Sequence, residues 1–293
     1  MILIAESGST KAQWTLLERG EIIEQAYTEG INPYFQSRRE ISRAIRLGLP
    51  EGFFRTKITK GYYYGAGCNT PEKIETVSAS LTAQFRTPFE VESDLLGAAR
   101  GLFGKDQGIA CILGTGSNSC YYNGDIIVRN IKSGGYLLGD EGSLAVAGKT
   151  FLADVVKEYA PKEITEHYFE TFATSTEYIM ETLYRKPLPN KFLSETGSFL
   201  YQYIDNNYIY RLFLNHFRQF FERCVCQYDY NALPTRIVGS HADHLSEILR
   251  IVAKEYGIQL DLVCENAMAG LVNYHEIDSF EGIHEPEYYL QNK

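Results

Sequence analysis

The first seventeen residues, MILIAESGSTKAQWTLL at Met1–Leu17, predict two strands joined by a short polar turn. The apolar run at residues 1–4 is typical of a buried strand, and Gln13–Leu17 predicts a second strand. Gly8, in the turn between them, permits a positive φ and lets a ligand approach closely. Successive N–H groups in such a turn form a concavity that binds anions. The turn therefore fits a phosphate group, and an ordinary polar hairpin is the alternative.

The side chains of this turn favour a phosphate that is accompanied by a cation. Ser9, Thr10 and Lys11 add hydroxyl and ammonium donors to the backbone N–H groups. Glu6 would repel a bare phosphate, so its position at the mouth of the turn indicates a divalent cation between the two. A third strand at Glu21–Tyr27 completes an antiparallel meander.

The same arrangement occurs a second time, later in the chain. GIACIL at residues 108–113 predicts a buried strand, residues 114–119 (GTGSNS) a polar turn, and Cys120–Tyr122 the next strand. Asn123-Gly124 then predicts a hairpin turn into a third strand. Two such turns, one in each half of the chain, are suited to hold a polyphosphate from both sides.

Two residues are candidates for contacting a substrate. Asp94 lies where a short strand, Phe89–Glu92, changes to a helix, and open α/β sheets bind ligands at the carboxyl ends of their strands. A general base for a substrate hydroxyl is one interpretation of Asp94, and an N-cap aspartate is the other. Asn32 is forced out of the helical region by Pro33. Its amide suits a sugar hydroxyl, and a plain turn asparagine is the alternative.

A glycine-rich segment with two acids, Ser133–Ser143, predicts a loop that contacts ligands. Its sequence is SGGYLLGDEGS, and a helix is expected from about Ser143 to Tyr159. The adjacent carboxylates of Asp140 and Glu141 are suited to accept sugar hydroxyls or a metal-bound water.

A second glycine junction follows the strand predicted from Thr235. Gly239-Ser240 would let an adenosine lie close to the backbone, before a helix expected over residues 242–256. His241 and His244 adjoin this junction, and we expect both to be solvated rather than bound to a metal.

Length, charge and composition narrow the class of protein. The 293 residues, at about 100–200 residues a domain, predict two domains. A net charge of −9 argues against a general nucleic-acid-binding surface. The sequence predicts neither a membrane span nor a signal peptide. Its six cysteines lie in mostly apolar contexts, which is typical of reduced thiols in a cytoplasmic protein.

Together these motifs resemble the actin-like ATPase superfamily of sugar kinases, and within it the N-acetylglucosamine kinase and BadF/BadG/BcrA/BcrD ATPase family. The segments that carry the resemblance follow the family's order: AESGSTKAQW (5–14), GINP (30–33), YYYGAGC (62–68), ESDLLGAARG (92–101), LGTGSN (113–118), SGGYLLGDEGS (133–143) and VGS (238–240). The resemblance implies an α/β fold with two ribonuclease H-like domains around a central cleft, each a mixed five-stranded sheet flanked by helices. It also implies domain boundaries of 1–106, rejoined by a C-terminal helix at 267–293, and 107–266.

The resemblance also implies a role for each matching residue. The first phosphate loop would be Gly8, Ser9, Thr10 and Lys11, and the second would be Gly114, Thr115, Gly116 and Ser117. The adenosine segment would be Gly239 and Ser240, and the catalytic base would be Asp94. The sugar contacts would be Asn32, Asn118, Gly135, Asp140 and Glu141, with Asp94 beside them. Glu6 would hold magnesium through water.

The activity implied is ATP-dependent phosphorylation of an amino sugar, N-acetyl-D-glucosamine to its 6-phosphate, with ATP and magnesium as cofactors. A homodimer is expected by the same resemblance, with no nucleic-acid or membrane partner. Two alternatives stay open. An activator ATPase of the BadF class would need cysteines gathered at a subunit interface, whereas these are scattered. A catalytically impaired sugar-binding regulator is favoured by Glu6, because the family pattern has Asp there. Gln13 and His241 also depart from that pattern.

Overall fold

The computed structural model describes residues 1–8, 10–186 and 189–281. The chain divides into two compact units. Unit 1 contains Met1–Asp106 and the chain from Ala267, and unit 2 contains Gln107–Asn266. Each unit has one five-stranded sheet that mixes parallel and antiparallel pairs, with helices packed against it. The predicted fold class, α/β with two mixed five-stranded sheets, is confirmed.

The strands of unit 1 come first along the chain and are followed by those of unit 2. The unit 1 strands are β1 (Ile2–Ser7), β2 (Lys11–Glu18), β3 (Glu21–Glu29), β4 (Lys60–Gly65) and β5 (Phe89–Ser93). The unit 2 strands are β6 (Gly108–Leu113), β7 (Ser117–Tyr122), β8 (Ile127–Ile131), β9 (Thr235–Val238) and β10 (Leu260–Cys264). In each sheet the first three strands form the predicted antiparallel meander. The fourth strand pairs parallel with the first, and the fifth pairs parallel with the fourth.

Helices occupy most of the remaining described chain. In order they are α1 (Arg38–Gly48), α2 (Gly52–Arg55), α3 (Pro71–Phe85), α4 (Asp94–Phe103), α5 (Gly135–Leu138), α6 (Leu144–Val156), α7 (Lys162–Thr171), α8 (Thr176–Arg185), α9 (Pro189–Phe199), α10 (Asn207–Phe220), α11 (Ser240–His244), α12 (Ser246–Glu255) and α13 (Met268–Glu281). No helix in the described ranges is both long enough and apolar enough to span a membrane.

Three predicted elements differ from the structure. The segment expected to be a loop at residues 133–143 contains the one-turn helix α5. The helix expected to reach Tyr159 ends at Val156. The helix predicted over residues 242–256 is two helices, α11 and α12, because the chain turns at Leu245. The second difference concerns a helix end, where assignments commonly differ by one or two residues.

The core of unit 1 forms where the apolar faces of the sheet and helices meet. Trp14 of β2 and Tyr63 of β4 are both 0% exposed, and their ring centroids lie 6.2 Å apart. Ser37 caps α1 with a capping box, its hydroxyl accepting from the Glu40 N–H while the Glu40 carboxylate accepts from the Ser37 N–H. The N-terminal unit is therefore fixed by local signals at helix ends and by aromatic packing at its centre.

The core of unit 2 is larger and contains many aromatic side chains. Helices α6 and α9 approach very closely, because a Cβ on Gly148 would lie 2.0 Å from the Leu193 carbonyl oxygen. Phe151 of α6 packs edge-on against Tyr168 of α7, with ring centroids 5.6 Å apart. This core holds α6, whose N-terminus meets the second glycine turn.

Candidate active site

The carboxyl ends of three parallel strands in unit 1 lie level with one another. Ser7 of β1 pairs with Gly65 of β4, and Gly65 pairs with Ser93 of β5. Asp94 follows Ser93 immediately, and Glu6 precedes Ser7. The strand register thus brings two predicted site carboxylates to one edge of the sheet, where ligands of α/β proteins bind.

Asp94 is not the N-cap of the helix that it begins. Ser93 is the cap, since its hydroxyl accepts a hydrogen bond of 3.2 Å from the Leu96 N–H. Asp94 is the first residue of α4, and its Oδ1 accepts from the Leu95 N–H at 2.9 Å. Burial raises the pKa of Asp94 to about 6, while the bond from Leu95 opposes the rise. The N-cap interpretation of Asp94 is therefore wrong, and the carboxylate is poised to take a proton near neutral pH.

Glu6 contacts the beginning of the C-terminal helix of unit 1. Its Oε2 accepts a hydrogen bond of 3.2 Å from the Ala267 N–H. The Ala267 carbonyl in turn accepts from Leu271, which marks the first turn of α13. Burial raises the pKa of Glu6 to about 7; the Ala267 N–H opposes this rise, and the negative charge of Asp94 adds to it. A carboxyl group of this pKa changes charge near neutral pH.

Asn32 lies in the loop after β3, which packs against the loop after β4 near the carboxyl ends of the unit 1 strands. The Ser7 hydroxyl accepts from the Ile31 N–H at 3.0 Å, which fixes the start of the GINP segment. The Asn32 Oδ1 accepts from the Tyr34 N–H at 3.0 Å. A Cβ on Gly67 would lie 2.6 Å from that oxygen, so the loop after β4 packs directly against Asn32. The structure therefore places Asn32 in unit 1 with Glu6 and Asp94.

The first glycine turn is shorter than predicted. The Gly8 N–H donates to the Lys11 carbonyl at 3.0 Å. Lys11 belongs to β2, where it pairs with Glu29, and its Nζ lies 4.1 Å above the ring of Tyr27. The expectation that Lys11 lies in the turn is wrong, because strand pairing begins there. Ser9 lies outside the described residues.

The second glycine turn, in unit 2, is also short and is held by a helix. Leu144 N–H donates to the Gly114 carbonyl at 2.9 Å, and Ala145 N–H to the Thr115 carbonyl at 3.2 Å. Ser117 and Asn118 were expected in this turn but lie in β7, because they pair with β6. The turn is therefore limited to residues 114–116.

Four predicted substrate residues surround this turn or follow it in unit 2. The Asn118 Oδ1 accepts from the Asn130 side chain at 2.8 Å. Asp140 has a positive φ of 54°, and its Oδ1 faces the Ser117 N–H at 3.4 Å. Burial raises the pKa of Asp140 to about 6, and the Ser117 N–H opposes that rise. Gly135 has open space beside its Cα, and Glu141 lies next to the Asp140 carboxylate.

A cavity of about 300 Å³ in unit 2 contains the Gly239-Ser240 junction at its wall. Its lining residues are Leu144, Ser198, Tyr201, Ser240, Asp243, His244 and Glu265. The rings of Tyr201 and His244 lie 4.0 Å apart, which forms an aromatic wall. Gly239 itself has φ of 139° and meets protein backbone, since a Cβ there would lie 2.0 Å from the Leu113 carbonyl oxygen. The cavity has the size of a small-ligand pocket.

His241 is buried, contrary to the expectation of a solvated residue. It is 0% exposed, and its Nδ1 lies 2.7 Å from the Tyr201 hydroxyl. Burial lowers its pKa well below the ordinary value, so it is neutral. His244 is exposed, as expected. Across the part of the chain that the structure describes, no cluster of three His, Cys, Asp or Glu residues is placed to hold a metal.

Sequence patterns did not indicate three contributors to these sites. Tyr201 lines the cavity from a 3₁₀ turn, Ala267 contacts Glu6 from 261 residues away, and Arg223 pairs with Glu141. Each comes from a distant segment without a recognisable motif. The sequence carried no signal for Tyr201 or Arg223, whereas Ala267 begins the C-terminal helix that the resemblance places with the first domain.

The structure thus contains two glycine turns, two carboxylates where the unit 1 strands end, and a mixed five-stranded sheet in each unit. A structure from Porphyromonas gingivalis, provisionally described as an N-acetylglucosamine kinase, is 40% identical, covers 95% of this chain and all of its own, and superposes with a TM-score of 0.90. The chain belongs to the N-acetylglucosamine kinase family.

Two more distant structures share the fold. One from Chromobacterium violaceum, also provisionally described as an N-acetylglucosamine kinase, is 16% identical over 93% of this chain and 98% of its own, with a TM-score of 0.72. The ethanolamine utilization protein EutJ from Carboxydothermus hydrogenoformans is 12% identical over 93% and 88%, with a TM-score of 0.53. No protein-family model and no curated protein sequence matches the chain.

Proposed function

We propose that the protein transfers the γ-phosphoryl group of ATP to an amino sugar, and that N-acetyl-D-glucosamine is converted to its 6-phosphate. The observation that carries this proposal is the environment of Asp94. Ser93 supplies the helix cap, so the aspartate is released from that role. Its pKa of about 6 leaves it ionised at neutral pH and still basic enough to accept a proton.

In the proposed reaction Asp94 is the general base. It accepts the proton of the sugar 6-hydroxyl as that oxygen bonds to the γ-phosphorus. The bond between the γ-phosphorus and the bridging oxygen breaks, and ADP leaves with the electron pair. Phosphoryl transfer depends mainly on positioning and charge stabilisation, so a single base and well-placed donors suffice.

We infer that the two glycine turns and the cavity hold the nucleotide. The first turn would contribute Gly8, Ser9 and Thr10, with Lys11 from the start of β2, and the second would contribute Gly114, Thr115 and Gly116, with Ser117 from the start of β7. Open space beside Gly8 and Gly114 supports a close approach of phosphate to both backbones. The cavity beside Ser240 is suited to adenosine, because Tyr201 and His244 offer it aromatic surfaces.

Magnesium is the metal that this chemistry implies, and Glu6 is the residue that would hold it, through water. The residue fits, because it supplies a carboxylate at the end of β1, beside the first turn. Mg²⁺ usually binds through one or two carboxylates together with substrate phosphates, so a larger protein cluster is not required. When bound, the ion neutralises phosphate charge.

The sugar is proposed to contact Asn32 and Asp94 of unit 1 and Asn118, Gly135, Asp140 and Glu141 of unit 2. Hydrogen bonds hold the Asp140 carboxylate and the Asn118 amide in fixed positions, which supports their assignment as sugar contacts. Buried polar groups discriminate strongly between ligands that pair with them and ligands that do not. The homodimer stays a prediction that light scattering can test.

The test is release of ADP from Mg-ATP in the presence of a panel of amino sugars. Turnover of one sugar by the native protein, with loss in Asp94→Asn, is the expected result. Failure of the native protein and of Glu6→Asp to use any sugar would overturn the proposal and favour an activator ATPase. Sugar binding is measured in parallel by calorimetry.

A sugar-binding regulator is the second candidate, and the position of Glu6 favours it. A carboxylate with a pKa of about 7 that already binds the Ala267 N–H is less available to a magnesium ion. Turnover by Glu6→Asp together with sugar binding but no turnover in the native protein would establish the regulator.

A further inference from the structure

Helix α10 does not end as a regular α-helix. It continues into one π-helical turn over Phe221–Val225, in which the Cys226 N–H donates to the Phe221 carbonyl at 2.8 Å. This is a bond between residues five apart, whereas an α-helix joins residues four apart. Single π-turns within helices are rare and occur frequently at functional sites.

Two consecutive residues of the π-turn contact one carboxylate. The Arg223 Nη1 lies 3.6 Å from the Glu141 Oε1, and the Cys224 Sγ lies 3.9 Å from its Oε2. The Glu141 side chain is only 15% exposed, whereas that of Arg223 is 67% exposed. The π-turn therefore holds the Glu141 carboxylate between one charged side chain and one thiol.

The end of α10 and the π-turn also contact the sequence neighbours of the candidate sugar residues. A Cβ on Gly142, which has φ of 81°, would lie 2.8 Å from the Phe220 Cβ, so the loop closes directly on the end of α10. The Ser119 hydroxyl donates to the Cys224 carbonyl at 3.0 Å, and Ser119 adjoins Asn118 in β7. The π-turn therefore touches both segments that carry sugar candidates in unit 2.

We propose that the π-turn is a positioning device for the sugar and that Arg223 orients the Glu141 carboxylate to accept a sugar hydroxyl. This inference rests on the proposed function. Among the described residues, Arg223 pairs with one oxygen of Glu141, and the second oxygen meets the weak thiol donor of Cys224. Because an ion pair with one exposed partner contributes little to stability, its main effect falls on substrate binding rather than on folding.

The test compares Arg223→Gln with Arg218→Gln in the full-length protein. Arg218 is a matched control: it lies on α10 just before the π-turn and pairs with Glu255 at 2.7 Å. We expect Arg223→Gln to raise the KM for the sugar about tenfold. The kcat, the KM for ATP and the melting temperature should stay close to those of the native protein, and Arg223→Lys should restore most of the affinity. Arg218→Gln should change none of these.

Hydrogen exchange of residues 133–143 in the ligand-free protein separates this inference from the proposed function. We expect faster exchange of this loop in Arg223→Gln than in Arg218→Gln. If that is seen but no sugar is phosphorylated, the proposed function fails while the positioning of the loop stands. If loop exchange and the KM are both unchanged, the positioning role is overturned. If Arg223→Gln lowered both kcat and the melting temperature, the positioning role would also be overturned, because the role of Arg223 would then be structural.

Discussion

The two sheets have the same strand order, but different chemical groups lie at the carboxyl ends of their strands. In unit 1 the order is β3-β2-β1-β4-β5, and in unit 2 it is β8-β7-β6-β9-β10. The unit 1 edge brings together Glu6 and Asp94, whose pKa values are raised to about 7 and about 6. At the corresponding edge of unit 2, the backbone of residues 114–116 is held by the first N–H groups of α6.

The difference shows that a repeated topology does not repeat its chemistry. The strand that ends in Ser93 is followed by Asp94, which does not cap the helix because the Ser93 hydroxyl does. The strand β6 ends in a turn that offers backbone groups and no carboxylate of its own. The proposed base, Asp94, thus belongs to unit 1, and the proposed sugar contacts of unit 2 include Asp140 from a later loop.

The largest expected effect is the loss of kcat when the Asp94 carboxylate of unit 1 is replaced by an amide. Asp94→Asn keeps the shape and removes the base, so kcat should fall by about 10²–10⁴-fold in the coupled ADP assay. In the native protein kcat should decline as pH falls through about 6, because protonated Asp94 cannot accept the proton. Asp140→Asn in unit 2 is the matched change and should act mainly on the KM for sugar. An equal loss of kcat in Asp94→Asn and Asp140→Asn would contradict the proposal that only the unit 1 carboxylate acts as the base.

His216, a buried histidine of unit 2, should make the protein less stable at low pH. Burial lowers the pKa of His216 from 6.5 to about 4, and its Nε2 donates to the Ser143 carbonyl at 2.8 Å. The unfolded chain therefore binds the proton more readily, and the free energy of unfolding decreases as pH falls from about 6.5 to about 4. The loss is about 3 kcal/mol when complete.

Urea unfolding of His216→Gln between pH 4 and pH 8 measures this contribution. The variant should show a weaker dependence on pH, since Gln can still donate to Ser143 but does not titrate. An unchanged slope would show that His216 does not carry the effect. His241, whose pKa is also lowered by burial, should retain its own share.

The hydrogen bond from Ala267 to Glu6 gives a smaller effect, confined to unit 1. Glu6→Asp shortens the side chain by one methylene and should break the 3.2 Å contact. We expect a loss of about 1–2 kcal/mol in the free energy of unfolding, because the bond involves a chargeable acceptor. Glu6→Gln, which can still accept the bond, is the control. Equal losses in the two variants would contradict this account.

The smallest effects are expected at the glycines of the two turns. A Cβ on Gly8 would come no nearer than 3.7 Å to another atom, and one on Gly114 would meet nothing within 4 Å. Gly8→Ala and Gly114→Ala should therefore change the free energy of unfolding by only about 0.5 kcal/mol. Gly239→Ala, with backbone 2.0 Å away, should destabilise unit 2 strongly. A large loss of stability in Gly8→Ala or Gly114→Ala would show that the turns are not open.

Much of the local structure followed from the sequence. The apolar run at residues 1–4 and the Asn123-Gly124 turn each act over a few residues, and each element formed where expected. The position of Asp94 at a strand end also followed, because a short strand and a helix adjoin there. Such signals are local, so a single chain reveals them.

Tertiary structure alone decided the state of the site residues. Asp94 could be a base or an N-cap until the structure showed that the Ser93 hydroxyl accepts from the Leu96 N–H. The contacts of Glu6 with Ala267 and of Glu141 with Arg223 join segments 261 and 82 residues apart. Burial, which raises the pKa values of Glu6 and Asp94, depends on everything that packs around them. The sequence therefore determined which chemical groups are present and in which elements, and folding determined their partners and their charge.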